Sequence, residues 1–293
     1  MQIKPSKEVL HSWIDSYVPK KDLFFLSKEN LNHEMDLTNV LLMPIDEFEN
    51  HSTYKQLNYV NSYEYWNIKN EEYVIIAEKD WIESIPTKTR QLILNSQIQH
   101  ERGLVIPASF IDNIENIPSD YVMNNHVVIQ RAMWERLSVE CKEQLLTTMV
   151  YEWWDKGECE ESPLDLDDFL KPFVNTFSDV QGANCLAAVL FAISNGEQEW
   201  FIYEWIHQKT FLEKLKQYDY EESSSEELKK GDVVVWLDVN DIIQHAAYYI
   251  GDNCFFNKHG QTIFNPWKIL SKELLFKEWS HFRYSTYSSR NRK

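Results

Sequence analysis

Three polar side chains in the carboxy-terminal part of the sequence have the chemical types that nucleophilic catalysis requires. Cys185 carries a thiol, His245 carries a ring nitrogen that can take up its proton, and Asn257 carries an oxygen that can orient the imidazole. Cysteine, histidine and asparagine form a known variant of the catalytic triad, in which the thiolate attacks a carbonyl carbon. The question is whether the fold brings these three side chains together.

Cys185 precedes an apolar run, Leu186 to Ile193, that is rich in alanine and leucine and predicts a buried helix. A thiol at the start of a helix lies at the positive end of the helix dipole and near unsatisfied amides, and both favour the thiolate. Gly182 permits a tight approach to this helix. A purely structural role is also open, because cysteine is among the most frequently buried residue types.

His245 and Asn257 belong to a predicted hairpin. Residues 232–236, 245–250 and 254–256 predict strands, and Asp252-Asn253 predicts a tight turn between the last two. His245 begins one strand and Asn257 follows the next, so the turn would bring them opposite each other. The Asn257 oxygen could then accept from one ring nitrogen of His245 and leave the other facing the thiol.

Two further side chains are candidates for supporting roles. Gln181, four residues before Cys185, could donate to an oxyanion, although a loop glutamine without function fits equally well. His259 is an alternative to Asn257 as the residue that orients His245, if the strand continues that far. Lys258-His259-Gly260 also fits a turn, and this favours Asn257.

The segment from residue 180 to residue 270 resembles the NlpC/P60 superfamily of papain-like cysteine peptidases. Gly231-Asp232 matches the Gly-Asp pair that opens a strand in that family, and Tyr249-Ile250-Gly251 matches the middle of its histidine strand. Asn257 lies twelve residues after His245, where the family has its third triad member.

The resemblance implies a papain-like domain, with helices packed on an antiparallel sheet. It also implies a cysteine hydrolase, an amidase or peptidase, that forms a thioester acyl-enzyme with a peptide or another amide or ester, and that transfers the acyl group to water or to another acceptor. The family's Asp-Cys-Ser-Gly is here Asn184-Cys185-Leu186-Ala187, and the glycine two residues after its histidine is Ala247. These departures argue against the branch that cleaves peptidoglycan. They also motivate the alternative, a catalytically silent papain-like scaffold that serves as a binding or interaction protein.

The order of the predicted elements indicates an α+β fold in two domains. The acidic stretch from Lys156 to Pro163, which contains a glycine and a proline, predicts a boundary between a mixed α/β amino-terminal domain, 1–160, and the hydrolase-like domain, 161–293. Within the second domain we expect helices at 164–173 and 200–215, a polar loop at 221–227, and edge strands at 263–264 and 281–284.

Composition narrows the functional classes. The net charge is -17, and the only basic cluster is Arg290 to Lys293, so binding to nucleic acid or to an anionic membrane is not expected. The chain begins without the apolar stretch of a signal peptide, which predicts a cytoplasmic protein. The four cysteines are widely spaced and form no CxxC pair, so we expect free thiols, no metal site and no cofactor.

Overall fold

The computed structural model describes residues 1–31, 37–56, 59, 62–63, 68, 71–225 and 227–290. Glu226 of the predicted polar loop and residues 291–293 of the basic cluster lie outside this range. The chain divides into two compact units, which we call the amino-terminal unit (Leu10–Met149) and the carboxy-terminal unit (Met1–Val9 with Val150–Lys293). The predicted boundary lies at residue 160, whereas the second compact unit begins ten residues earlier and includes the first nine residues.

The first 149 residues are a mixture of short helices and strands. Two antiparallel sheets of three strands occur among the described residues, with the orders β1-β3-β2 and β4-β6-β5. The elements are α1 (Lys7–Ser16), β1 (Lys21–Leu26), β2 (Leu41–Pro44), α2 (Ile45–Asn50), β3 (Tyr73–Glu78), α3 (Trp81–Ser84), α4 (Thr87–Gln99), β4 (Val105–Pro107), β5 (Val122–Met123), β6 (His126–Val128), α5 (Arg131–Arg136) and α6 (Val139–Met149).

The carboxy-terminal unit is built on one antiparallel sheet with the strand order β11-β10-β9-β8-β12-β7. Its elements are a π-helix (Val150–Trp154), α7 (Cys185–Ile193), a 3₁₀ helix (Glu199–Tyr203), α8 (Gln208–Gln217), β7 (Tyr220–Ser223), β8 (Val233–Leu237), β9 (Ile243–Gly251), β10 (Cys254–Lys258), β11 (Trp267–Ser271), α9 (Lys272–Glu278) and β12 (Arg283–Ser289). Helices packed on an antiparallel sheet confirm the α+β class.

Alternate residues of β9 belong to two different cores. Ala246 and Tyr248 pack with α7 on one side of the sheet, which we call the α7 face. Ala247 and Tyr249 pack with Leu275 of α9 on the other side, the α9 face. This alternation follows from the two-residue period of a strand, and it decides on which side each polar residue of the hairpin lies.

The predicted hairpin is confirmed. Asp252 and Asn253 have φ values of 48° and 56°, the left-handed backbone that a tight two-residue turn requires. The Gly-Asp pair secures the start of β8, since Gly231 N–H donates to Tyr249 O at 2.8 Å and Tyr249 N–H donates to Asp232 O at 2.8 Å. The buried Asp232 carboxylate also accepts from Lys229 N–H at 2.6 Å and from the Ser288 hydroxyl at 2.5 Å.

Of the three helices predicted before the sheet, the apolar one is confirmed as α7, the one over 164–173 is wrong, and the one over 200–215 is wrong in part. Residues 164–173 form successive turns rather than a helix, and their three aspartates compete with helical hydrogen bonding. The helix predicted over 200–215 is interrupted between the 3₁₀ helix and α8. Its Ile206 carbonyl accepts from the side chain of Asn184 at 2.8 Å, so a tertiary contact takes up this carbonyl.

The outer strands of the sheet also differ from the prediction. Residues 263–264 lie in a turn, and β11 is the edge strand instead. The strand predicted over 281–284 corresponds to β12, which lies between β8 and β7 rather than at the edge. Three of the four residues of β7 fall in the predicted polar loop, because this strand is stabilised by pairing with β12 and not by an apolar pattern of its own.

No described helix combines the length and the apolar character that crossing a bilayer requires.

Candidate active site

Cys185 is the first residue of α7, as predicted. Asn184 caps this helix, with its side-chain oxygen accepting from Ala187 N–H at 3.0 Å and its amide donating to Ile206 O at 2.8 Å. Every following residue of α7 is buried, whereas Cys185 is half-buried. The helix is therefore anchored at its start, and the thiol is held at the border of the core.

The thiol lies close to the place where β9 and β10 stop pairing. The last paired residues are Tyr248 and Phe256. Successive amides along a strand point alternately to its two neighbouring strands. Because Tyr249 N–H donates on the β8 side, the amide of Ala246, three residues earlier, points to the β10 side. It does so beyond the region where β9 and β10 pair. This amide interacts with the sulfur of Cys185 instead of with a strand.

Burial dominates the ionisation of Cys185. It raises the pKa of the thiol to about 11, against the opposing effect of the backbone N–H groups of Ala246, Leu186 and Cys185 itself and of the charge on Lys258. These N–H groups are the donors that the start of a helix offers to an anion. The thiol is therefore neutral at physiological pH in this structure, although its surroundings contain groups that stabilise a thiolate.

His245 lies on the α9 face and is buried. Its ring stacks flat on Trp279, with 4.5 Å between centroids and 1° between planes, and it lies 5.7 Å from the ring of Trp236. Burial and the charge of His259 lower the pKa of His245 to about 3, against a smaller raising effect of Asn257. Among the described contacts, no hydrogen bond joins His245 to the sulfur of Cys185.

Asn257 and His245 carry complementary unpaired groups. Asn257 is fully buried on β10, and its amide donates to Lys268 O at 3.3 Å. The Asn257 Oδ1 atom and the His245 Nε2 atom are both buried, and neither has a hydrogen bond of normal length and angle to any described residue. Asn257 still raises the pKa of His245 in the way that a hydrogen bond does, so the two groups lie near each other without forming an ideal bond.

Gln181 lies in the loop before α7. Its Oε1 and Nε2 atoms are both buried and have no hydrogen-bond partner among the described residues. An unpaired buried amide costs about 1–3 kcal/mol, so such a group in a folded protein requires an explanation, and a catalytic role is one of the known ones. The predicted role as an oxyanion donor stays a prediction.

His259 does not contact the imidazole of His245 in the way that the alternative prediction required. Its Nδ1 atom lies 2.8 Å from Asp155, and its Nε2 atom lies 2.8 Å and 3.0 Å from the two oxygens of Glu278. Both nitrogens are thus occupied by carboxylates, and these hydrogen bonds raise the pKa of His259 despite its burial. Lys268 donates to the same Asp155 at 2.8 Å and 3.0 Å.

Three residues that the sequence analysis did not single out contribute to this region: Lys258, Asp155 and Trp279. A signal was available for Lys258, since it follows Phe256 at the two-residue period of a strand face directed into the core. Asp155 directly follows the π-helix and Trp279 directly follows α9, and only the tertiary structure brings them to His259 and His245.

Within the described stretches, no cluster of three or more His, Cys, Asp or Glu side chains is arranged to hold a metal ion. Comparisons with protein-family models, with curated proteins and with solved structures found no match to this chain.

Proposed function

We propose that the carboxy-terminal unit is a papain-like cysteine hydrolase of the NlpC/P60 type, acting on a peptide or on another amide or ester. The observation that carries the proposal is that the three residues come to the same end of the β9–β10 pairing, with Cys185 on the α7 face and the side chains of His245 and Asn257 on the α9 face. The Ala246 amide reaches the sulfur of Cys185, and the preceding residue, His245, has a ring nitrogen that lacks a partner near the similarly unpaired oxygen of Asn257.

In the proposed reaction, the Cys185 thiol loses its proton to His245 and attacks the carbonyl carbon of the substrate. Asn257 orients the imidazole, and the amides at the start of α7 stabilise the oxyanion, together with the free amide of Gln181. His245 returns the proton to the leaving group, which leaves an acyl thioester on Cys185. Water or another acceptor then releases the acyl group.

The resting structure corresponds to a neutral pair rather than to a thiolate and an imidazolium. Burial raises the pKa of the Cys185 thiol to about 11 and lowers the pKa of the His245 imidazole to about 3, so each group keeps its uncharged form between these values. His245 also lies against Trp279. The proposal therefore requires that the start of β9 rearranges when substrate binds, so that the imidazole leaves the α9 face and reaches the thiol on the α7 face.

A second candidate function is a catalytically silent scaffold that binds a partner. The same absence of a hydrogen bond between Cys185 and His245, together with the Trp279 ring that covers the imidazole, favours it. The two candidates differ in whether hydrolysis depends on the triad side chains.

Turnover of a panel of acyl esters and amide substrates tests the choice. We expect hydrolysis that is lost in Cys185→Ala and His245→Ala and reduced in Asn257→Ala. Cys254→Ala is the matched control, because this thiol is half-buried like Cys185 but lies on β10 away from the start of α7. Hydrolysis that persists in Cys185→Ala would exclude the proposed nucleophile, and binding without turnover would favour the scaffold.

A further inference from the structure

Lys258 is a buried lysine at the end of β10. Its side chain is 1 % exposed, and its Nζ atom lies 5.7 Å from the centre of the Trp267 ring. Nζ donates to Thr262 O at 2.7 Å and to the carbonyl of Asn265. Burial lowers the pKa of Lys258 to about 7, against the raising effects of Asp155 and Cys185.

The turn that surrounds the Lys258 amine is closely built. Asn265 Oδ1 accepts from both the backbone N–H and the hydroxyl of Thr262, at 3.1 Å and 2.8 Å. Gly260 has a φ of 127°, and a Cβ atom there would lie 2.3 Å from the Asn265 side chain, so this position requires glycine. The two carbonyls that accept from Nζ are therefore held in fixed positions.

The number of acceptors matches the neutral form of the amine. A neutral amine has two N–H donors and a lone pair, whereas an ammonium group has three donors. Two carbonyls accept from Nζ, and no carboxylate lies within ion-pair distance of it among the described residues. Asp155, the carboxylate that acts on Lys258 from farther away, is already bonded to Lys268 and His259.

Lys258 and Cys185 act on each other. Phe256 pairs with Tyr248, and Lys258 and Ala246 each lie two residues further along these strands, on the α7 face. Ala246 is the residue whose amide reaches the Cys185 sulfur. Lys258 stabilises the charged form of Cys185, and Cys185 stabilises the charged form of Lys258. The imidazole of His245 lies on the opposite face, against Trp279.

We propose that Lys258 is the electrostatic partner of Cys185, so that the loss of a proton from Sγ is coupled to the gain of a proton at Nζ. The S–H bond breaks, a third N–H bond forms, and a neutral thiol and amine become a thiolate and an ammonium with no change in net charge. In the buried site this exchange gives the thiolate the cation that it otherwise lacks. The inference rests on the proposed function in that the thiolate so formed is the nucleophile. It concerns the free protein, in which His245 lies on the opposite face, whereas transfer of the proton to His245 belongs to the substrate complex.

Two adducts of nearly equal size on Cys185 test this coupling without any substitution. Iodoacetate leaves an anionic carboxymethyl group on the sulfur, and iodoacetamide leaves a neutral carboxamidomethyl group. The pKa of Lys258 is then measured in each protein by NMR of ¹³C-labelled lysine, with the adduct site verified by peptide mass. We expect the anionic adduct to raise the pKa of Lys258 by about one unit or more relative to the neutral adduct.

Cys185→Ser treated with the same two reagents is the control, and it should show no difference in the pKa of Lys258. Equal Lys258 pKa values in the two wild-type adducts would overturn the inference. The experiment uses no acyl donor, so its outcome is separate from that of the turnover assay. A protein that hydrolyses nothing can still show the coupling, and an active hydrolase can still lack it.

Lys258→Met provides a second measurement. At about pH 8.5, the ordinary pKa of a cysteine, we expect alkylation of Cys185 to become about tenfold slower relative to alkylation of Cys254 in the same sample. Lys272→Met is the matched control, because Lys272 lies over an aromatic ring in a similar way, 5.6 Å from the centre of Phe276. An unchanged Cys185 to Cys254 ratio would contradict the coupling. Rapid labelling of the buried Cys159 would reveal an unfolded variant, and the adduct experiment would then decide.

Discussion

Burial is the main cause of the pKa shifts of Cys185 and His245, and neither residue contributes to the shift of the other. Burial moves the two pKa values in opposite directions, and both shifts favour the uncharged forms. A preformed thiolate–imidazolium pair would instead need a lowered thiol pKa and a raised imidazole pKa. The resting site thus contains a neutral thiol and a neutral imidazole and is not ready for immediate attack.

This distinction has a pH signature in the free protein. In Lys258→Met, which has no amine to take up the thiol proton, we expect alkylation of Cys185 to accelerate about tenfold for each pH unit up to at least about pH 10, because the thiolate fraction grows in this way below the thiol pKa. Measurement of the Cys185 adduct by peptide mass across the pH range checks this. A plateau already reached near neutral pH would show an ion pair and contradict the neutral resting state.

At the residue scale, the sequence alone could identify Cys185, His245 and Asn257 as candidates but could not define their relative geometry. The helix start at Cys185 followed from its apolar run, and the hairpin followed from Asp252-Asn253. The stacking of His245 on Trp279 joins two residues more than thirty positions apart in the chain, and no local pattern encodes it.

At the scale of the elements, helix α9 determines the environment of His245. This helix follows β11 directly, begins at the cap Ser271 and ends beside Trp279. Glu278, the last residue of α9, bonds to His259, which directly follows β10. The ion pair of Glu278 with His259 therefore fixes the end of α9. The next residue after the helix, Trp279, covers the imidazole of His245.

Removal of the Trp279 ring should release His245 from burial. In Trp279→Ala we expect the pKa of His245 to rise by more than about one unit towards its ordinary value, because desolvation is the main cause of its low value. An NMR titration of the histidine ring protons measures this change.

Phe276→Ala is the control for the Trp279 experiment. Phe276 is on the same helix and contacts Trp236, with 5.3 Å between ring centroids, but the tryptophan that stacks on His245 is left in place. We expect the pKa of His245 to change little in this variant. A low pKa of His245 that persists in Trp279→Ala would show that Trp279 is not what desolvates the imidazole.

Elements with a strong apolar period were predictable, and elements stabilised by tertiary contacts were not. The buried strands β8, β9 and β10 and helix α7 fall where the pattern places them. The polar strand β7 forms because β12 pairs with it, and the break before α8 includes the Ile206 carbonyl that accepts from Asn184. In both cases the deciding partner is distant in sequence.

At the scale of the whole molecule, the carboxy-terminal unit includes residues on both sides of the predicted boundary. Ile3 N–H donates to Gly157 O at 2.9 Å, and a bridge joins Gln2 to Glu158. Asp155, which precedes the predicted boundary, binds Lys268 of β11 and His259 after β10. The composition change near residue 160 therefore marks a polar segment inside this unit. Asp155, which precedes that segment, completes a buried ion pair with Lys268.

Asp155→Ala should consequently destabilise the carboxy-terminal unit. Removing one partner of a buried ion pair costs about 3–5 kcal/mol, since Lys268 would be left as an uncompensated buried charge. Chemical denaturation combined with hydrogen exchange of the β10 and β11 amides measures the loss. Glu152→Ala is the control, because it alters an exposed carboxylate three residues away. Unchanged protection of β10 and β11 in Asp155→Ala would contradict the contribution of this ion pair.

The central claim is that Cys185 becomes acylated with the help of His245. The most direct measurement is the mass of the intact protein after brief reaction with an activated acyl ester and an acid quench, followed by peptide mapping. We expect one acyl group on Cys185, removable by neutral hydroxylamine as a thioester is, absent in Cys185→Ala and strongly reduced in His245→Ala. Failure to acylate Cys185 with any donor, or equal acylation with and without the His245 side chain, would contradict it.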